Sequence, residues 1–181
     1  MTTVSAEFDP KDPIASFVAS WRRVLLEPRA FFEGLPAGGL EPPLLFALIC
    51  LVIGGFGFMI FGGGIEGFLG FLLIGTLRLF VGAAIVSLIA QRLFDGHGDY
   101  EATFRVLCYS TAVAVVIGIP VIKHFAALYG IYLVILGLAR AHSFDTVRAM
   151  LTALSSVFVG MVIVHALCLG GWMHRVNPLL R

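Results

Sequence analysis

Five long apolar segments, at roughly 44–62, 68–90, 106–122, 125–139 and 149–172, occupy most of this chain, and only short charged or turn-rich stretches separate them. A helix needs about 20 residues to cross about 30 Å of hydrocarbon. The first, second and fifth segments meet that length directly. Of the 181 residues, 59% are hydrophobic and 13% charged, against about 25% charged in an ordinary soluble domain. A soluble chain of this size has too little interior to absorb that much apolar surface. The expected fold is therefore all-α: a polytopic transmembrane helical bundle of about five crossings, spanning 44–172, with a C-terminal tail at 173–181.

The third segment gains length if its helix starts earlier, with Asp99 as cap and Glu101 in the first turn. Pro120 ends it. The fourth is the shortest, lying between Lys123–His124 and Arg140. It either crosses with some local thinning or re-enters, and the two choices put the C-terminus on opposite sides. With the N-terminus in the cytoplasm and five crossings, Lys11, Arg22, Arg23, Arg29, Arg92, Arg105, Arg140 and Arg148 fall inside, and Lys123, Arg175 and Arg181 fall outside. That is the positive-inside asymmetry. A four-crossing arrangement keeps the bias, so charge alone does not fix the count.

Residues 1–12 read as a polar, mobile tail, acidic at Glu7, Asp9 and Asp12. They lack the basic-then-apolar start of a cleavable signal peptide, so the first crossing is expected to act as a signal-anchor. Within 13–43, Asp12-Pro13 marks a helix start. Ile14, Phe17, Val18, Trp21, Val24 and Leu25 then recur at spacings of three and four. Ser16, Ser20, Arg22, Arg23 and Glu27 take the other face, and Phe31 and Phe32 extend the apolar surface past Pro28. The expectation is an amphipathic interfacial helix carried by Phe17, Trp21, Arg22, Arg23, Phe31 and Phe32. The alternative is a helix packed on its own bundle or on a partner. A turn-rich linker with Pro36, Gly38, Gly39, Pro42 and Pro43 follows.

Lipid tails give helices little hydrophobic reason to associate, so small residues that permit close approach mark contact faces. Ser110, Ala114 and Gly118 repeat every four residues, as do Ala83 with Ser87, Ala149 with Ala153, and Ser156 with Gly160. These are the expected packing positions.

Several stretches together resemble one family. Pro28 with Phe31-Phe32 precedes the Pro42-Pro43 entry to the first crossing. The run Gly98-Asp99-Tyr100-Glu101-Ala102-Thr103-Phe104-Arg105-Val106-Leu107-Cys108-Tyr109-Ser110 sets a Gly-containing turn before a Thr-Phe-Arg-Val segment and a Tyr-Ser pair. Pro120, Tyr129, Tyr132 and the His142-Ser143 turn continue the pattern. Over roughly 20–168 the chain resembles the bacterial branch of the Yip family, polytopic membrane proteins named for interaction with Ypt/Rab GTPases in eukaryotes, where members act in vesicle traffic. The resemblance implies five helical crossings, a cytoplasmic N-terminus and no catalytic residues.

Among individual residues, Arg78 is the most informative. It stands near the middle of the second segment, where insertion scales put a charge at about 2.5–3.5 kcal/mol. It must face a partner, a cavity or water. Either it contacts an anion, a lipid headgroup or a partner subunit, or it bonds locally to groups such as Thr76 or Ser110. Asp95-Gly96-His97-Gly98-Asp99 has donors a metal accepts, but its glycines and the cap at Asp99 read as a tight turn. Cys50, Cys108 and Cys168 lie in apolar runs without ligand spacing. His142, His165 and His174 do not cluster. No nucleophile elbow, Walker loop or dinucleotide fingerprint occurs, so no enzyme and no cofactor is expected. The net charge of +1 gives no pull toward nucleic acid. The leading expectation is a membrane scaffold or accessory subunit that contacts lipids, other membrane subunits or a second copy. A small transporter or channel with Arg78 in its path, and a membrane-shaping protein, are the alternatives.

Overall fold

The computed structural model describes residues 7–36 and 38–176, the side chains of 164 and 166–176 excepted. Among the described residues all regular structure is helical. Two short helices, α1 (Pro13–Leu26) and α2 (Pro28–Glu33), come first. Five longer ones follow: α3 (Glu41–Phe58), α4 (Gly64–Leu93), α5 (Tyr100–Ile117, tightening to a 3-10 turn at Thr111–Val113), α6 (Lys123–Ala141) and α7 (Thr146–Val176). The expected tails at 1–6 and beyond 176 lie outside the described residues.

Four helical runs are long and apolar enough to cross a membrane: Glu41–Leu93, Tyr100–Ile117, Lys123–Ala141 and Thr146–Ile163. The first counts as one run of 53 residues, about 80 Å if it were straight. It is not straight. At Phe61 and Gly62 the backbone leaves helical angles, with φ of +115° at Gly62 and +55° at Gly64. Glycine adopts both values without a Cβ clash. The chain doubles back there, and a Cβ built on Gly75 would stand 2.8 Å from Leu51 Cδ2. On a straight helix those two residues would lie about 36 Å apart. Phe56 on Phe68 (5.0 Å between ring centres) and Phe58 on Phe71 (4.8 Å) close the hairpin. The run is therefore two antiparallel helices, and the bundle has five helices of membrane length. The fourth apolar segment is a continuous helix of 19 residues, about 28 Å long, rather than a re-entrant turn.

The five helices alternate in direction. The starts of α3, α5 and α7 and the ends of α4 and α6 share one end of the bundle, termed basal here; the hairpin turn and the 118–122 connection share the other. Helix α5 is central: 56% of its membrane-length window is buried, against 17–33% for the other runs. Small residues make that possible. A Cβ on Gly54 would collide with the carbonyl of Ala114, and one on Gly118 would stand 2.6 Å from Gly57 Cα. Ser110 and Ala114 thus lie on the face of α5 that is buried, and Gly118, which caps its C-terminal end, meets α3 backbone to backbone. Ala83 and Ser87 of α4 are buried, as are Ala149, Ala153 and Ser156 of α7. Gly160 is different: nothing lies within 4 Å of where its Cβ would be.

The N-terminal region packs more deeply than its sequence suggests. Trp21 Nε1 donates to the carbonyl of Ala112 at 2.9 Å, and the ring of Phe17 packs tilted against Phe46 at 5.3 Å. Phe31 and Phe32, expected on a membrane-facing surface, are buried in the core. The ring of Tyr109 sits between Phe31 (4.9 Å) and Phe46 (5.0 Å). Of the two readings of this helix, Trp21, Phe31 and Phe32 follow packing on the bundle. The reason is the width of the apolar stripe: Phe17, Ser20, Trp21, Val24 and Leu25 turn inward, which leaves Ile14, Val18 and Leu26 exposed. Arg22 is exposed and Arg23 half-buried. Phe8, in the stretch read as a tail, is 3% exposed and lies 6.4 Å from Phe46.

Candidate functional site: two arginines and a histidine lock

Arg105 and Tyr109 stand one turn apart on α5, hence on one face. That face points at the N-terminal segment. Arg105 Nη2 donates to Glu7 Oε1 at 2.6 Å, and Nη1 donates to the carbonyls of Gly38 and Gly39, the latter at 2.6 Å. Tyr109 Oη donates to the same Glu7 oxygen at 3.2 Å. The two carbonyls converge because Gly38 and Gly39 take φ of +104° and +82°. The guanidinium is 3% exposed and the Glu7 side chain 12%. One buried cation therefore ties the N-terminal segment and the linker before α3 to the central helix. Its Nε atom has no partner among the described atoms.

A second lock holds the basal loops. Asp99 caps α5, accepting from the Ala102 amide at 2.8 Å. Thr103 Oγ1 donates to the Asp99 carbonyl at 2.9 Å and lies 2.9 Å from His142 Nε2. The threonine proton is taken by the carbonyl, so His142 Nε2 carries the ring proton and donates it to Thr103. Nδ1 is then bare; it is buried without a partner and faces Gly96 and Gly98, where a Cβ would approach within 2.6 Å and 3.0 Å. Phe144 stacks on the ring at 5.3 Å, and Gln91 Nε2 donates to the Gly98 carbonyl at 2.9 Å. Burial lowers the His142 pKa, and the Asp99 carboxylate offsets part of that shift. Among the described residues no group of three or more His, Cys, Asp or Glu side chains is placed to hold a metal. The 95–99 segment makes the turn between α4 and α5.

Arg78 has the opposite placement. It lies at the middle of α4, a helix of 30 residues, one turn past Gly75, where that helix meets Leu51 of α3. Its side chain is exposed on the outer surface of the bundle, beside exposed Ile74, Leu77 and Val81. It makes no hydrogen bond or ion pair among the described residues. The local partners considered for it are occupied or turned away: Thr76 Oγ1 donates to the Leu72 carbonyl at 2.8 Å, and Ser110 Oγ is buried inside. Arg78 lines neither the open apolar crevice of about 650 Å³ between Leu25, Val113, Phe125 and Tyr129 nor the shallow cleft at Arg22, Arg23 and Glu27. His165 is exposed on α7.

Sequence reasoning singled out Arg78 but missed the Glu7–Arg105–Tyr109 knot. The i, i+4 pair of Arg105 and Tyr109 at the edge of an apolar run was the available signal. Glu7, 98 residues away in the chain, carried none.

A bundle of five apolar helices with lipid-like outer faces, and with its polar side chains spent on internal locks, defines a polytopic helical membrane protein. The family model of the Yip1 domain matches residues 22–167. The chain belongs to the Yip1 domain family. No match was found among curated proteins or among solved structures.

Proposed function

We propose that this chain is a non-enzymatic accessory subunit or scaffold of a membrane assembly, acting through lateral helix contacts. It sits in a bacterial cytoplasmic membrane with its N-terminus and basal loops in the cytoplasm. The observation that carries the reading is the outward Arg78, a permanent charge on an otherwise apolar face that the chain's own described residues leave unneutralised. Such a residue is costly against lipid and favourable in an interface. The basal positions of Arg92, Arg140 and Arg148 support the orientation. The transport reading loses its main motive within a single protomer, because Arg78 faces outward rather than into the bundle.

The test is native mass spectrometry of the assembly released from its own membrane in a mild detergent. A stoichiometric second membrane protein supports the reading. A monomer or homo-oligomer with bound lipid alone refutes it and directs attention to flux assays and to membrane shaping.

A further inference from the structure

The chemistry around Arg78 narrows the partner that face accepts. All eleven acidic residues of the chain lie at helix ends or in connecting segments. The nearest in sequence on the same helix is Glu66, twelve residues earlier, or about 18 Å along the axis. A two-fold contact between α4 faces of two copies would bring Arg78 against Arg78, a like-charge pair on a helix whose nearest acid is Glu66. The acids flanking α1 and ending α2, Asp12, Glu27 and Glu33, do not help within one copy: those helices pack on α3, α5 and α6, whereas α4 packs on α3, α5 and α7. Pairing one copy's α4 with the acid-bearing end of another's α1 would be heterologous, giving a ring or an open array rather than a two-fold dimer.

A lipid phosphate is the other anion within reason, and depth argues against it. Arg78 lies at the middle of α4, about 21 Å along the axis from either end of the helix. Cα–Cβ bonds tilt toward the helix N-terminus, in α4 the hairpin end, so the side chain leans away from the basal headgroups, and those at the hairpin end are as distant. Ile74, one turn toward the hairpin, and Val81, one turn toward the basal end, are both exposed apolar side chains. They flank the guanidinium with surface suited to a helix rather than to headgroups.

We infer that the outer face of α4 around Arg78 docks a transmembrane helix of a different protein, one that carries an Asp or Glu near the membrane centre and pairs it with Arg78. This rests on the accessory-subunit reading and specifies its contact.

The first measurement needs no knowledge of the partner. Energy transfer is recorded in phosphatidylcholine vesicles between the labelled full-length protein and synthetic polyleucine transmembrane helices with Glu or Leu at the centre. Association with the Glu helix is expected to be at least fivefold tighter. The preference should vanish in Arg78→Leu and persist in Arg78→Lys. Equal association of both helices with the wild type, or a preference that survives Arg78→Leu, overturns the inference. Arg78 is exposed, so the variants should keep the wild-type elution profile and melting point. In native membranes, a photo-crosslinker at Ile74 or Val81 should join the chain to a transmembrane peptide of another protein containing Asp or Glu, and Arg78→Leu should cut the yield severalfold. Adducts only with a second copy, only with lipid, or with a helix lacking an acid overturn it. If native mass spectrometry finds a second protein while these experiments fail, only the Arg78 contact falls. If it finds none, the broader reading falls as well.

Discussion

Removing the Glu7 carboxylate by Glu7→Ala should loosen the whole N-terminal region, and the structure sets the size of the effect. Arg105 is almost fully enclosed and Glu7 nearly so. Breaking a buried pair from one side costs about 3–5 kcal/mol, because it leaves an uncompensated charge. Two donors of the guanidinium stay bonded to the Gly38 and Gly39 carbonyls, which places the loss near the lower end, at about 3 kcal/mol. For a chain of this length that is a fall in melting temperature of roughly 6–12 °C. The buried thiols of Cys50 and Cys108 report it directly. With Cys168→Ser as background, a thiol-reactive fluorophore should label the detergent-solubilised protein only as the bundle opens. Tyr109→Phe alone should cost about 1 kcal/mol, the worth of one hydrogen bond. In the Glu7→Ala background it should cost less, since the carboxylate acceptor is gone and only the Phe8 backbone still meets the hydroxyl. A Glu7→Ala melting point within about 2 °C of wild type, on a scale of about 2–4 °C per kcal/mol, would mean that the knot does not hold the N-terminal segment.

Gly118→Val should destabilise by more than the about 1–3 kcal/mol typical of overpacking, because the added Cβ would stand 2.6 Å from Gly57 Cα. Gly160→Val, placed in open space, should change the melting point by less than about 2 °C; equal effects would refute the assigned faces. His142 gives a pH dependence of definite sign. Its folded pKa is held below the ordinary value, so just below about pH 6.5 the unfolded chain binds the proton and the folded chain does not. Stability is complete above that pH and is lost as the pH falls through it. The wild type should melt lower at pH 5.5 than at pH 7.5, and His142→Gln should flatten that slope; an unchanged slope would refute the assignment. In α1, Asp in place of Trp21 should unfold the N-terminal packing, because the indole bonds to Ala112. Asp in place of Ile14 or Val18, which are exposed, should leave the melt intact, and reversal of this order would refute the two-faced reading of the helix.

How much of this was legible in the sequence depends on the range of the interaction. Helix number and the Asp99 cap were readable, because apolar length and a capping start are local signals, whereas Asp12 precedes α1 without a side-chain capping bond. The small-residue positions were readable as period-four repeats, yet the repeat could not separate Ser156, buried against neighbouring helices, from Gly160, which faces open space. Of the residues given to an interfacial helix, Trp21 of α1 and Phe31 and Phe32 of α2 pack on the bundle, the alternative the sequence left open, for a similar reason. Periodicity tells which side of a helix is apolar, whereas the identity of the covering surface, lipid or protein, is decided by chain segments far away.

The two arginines of the apolar region make the same argument with charge. In sequence, Arg78 sits deeper within an apolar run than Arg105, and its isolation marks it as the residue in need of a counterpart, from this chain, a cavity or a partner. Within the chain, the structure gives the compensation to Arg105. Arg105 has three ligating groups supplied by segments 66–98 residues away, and Arg78 has none among the described residues. The difference follows from which helix each occupies. Helix α5 is surrounded, so a cation there exists only with partners drawn from the rest of the chain, and the flexible glycines and the N-terminal acid could be folded over it. Helix α4 is peripheral, so no part of this chain is obliged to meet Arg78. A charge that the fold compensates is a device of stability, and its removal should appear in melting. On the proposed reading, a charge that the fold leaves open serves association, and its removal should leave melting untouched and alter only what the protein binds.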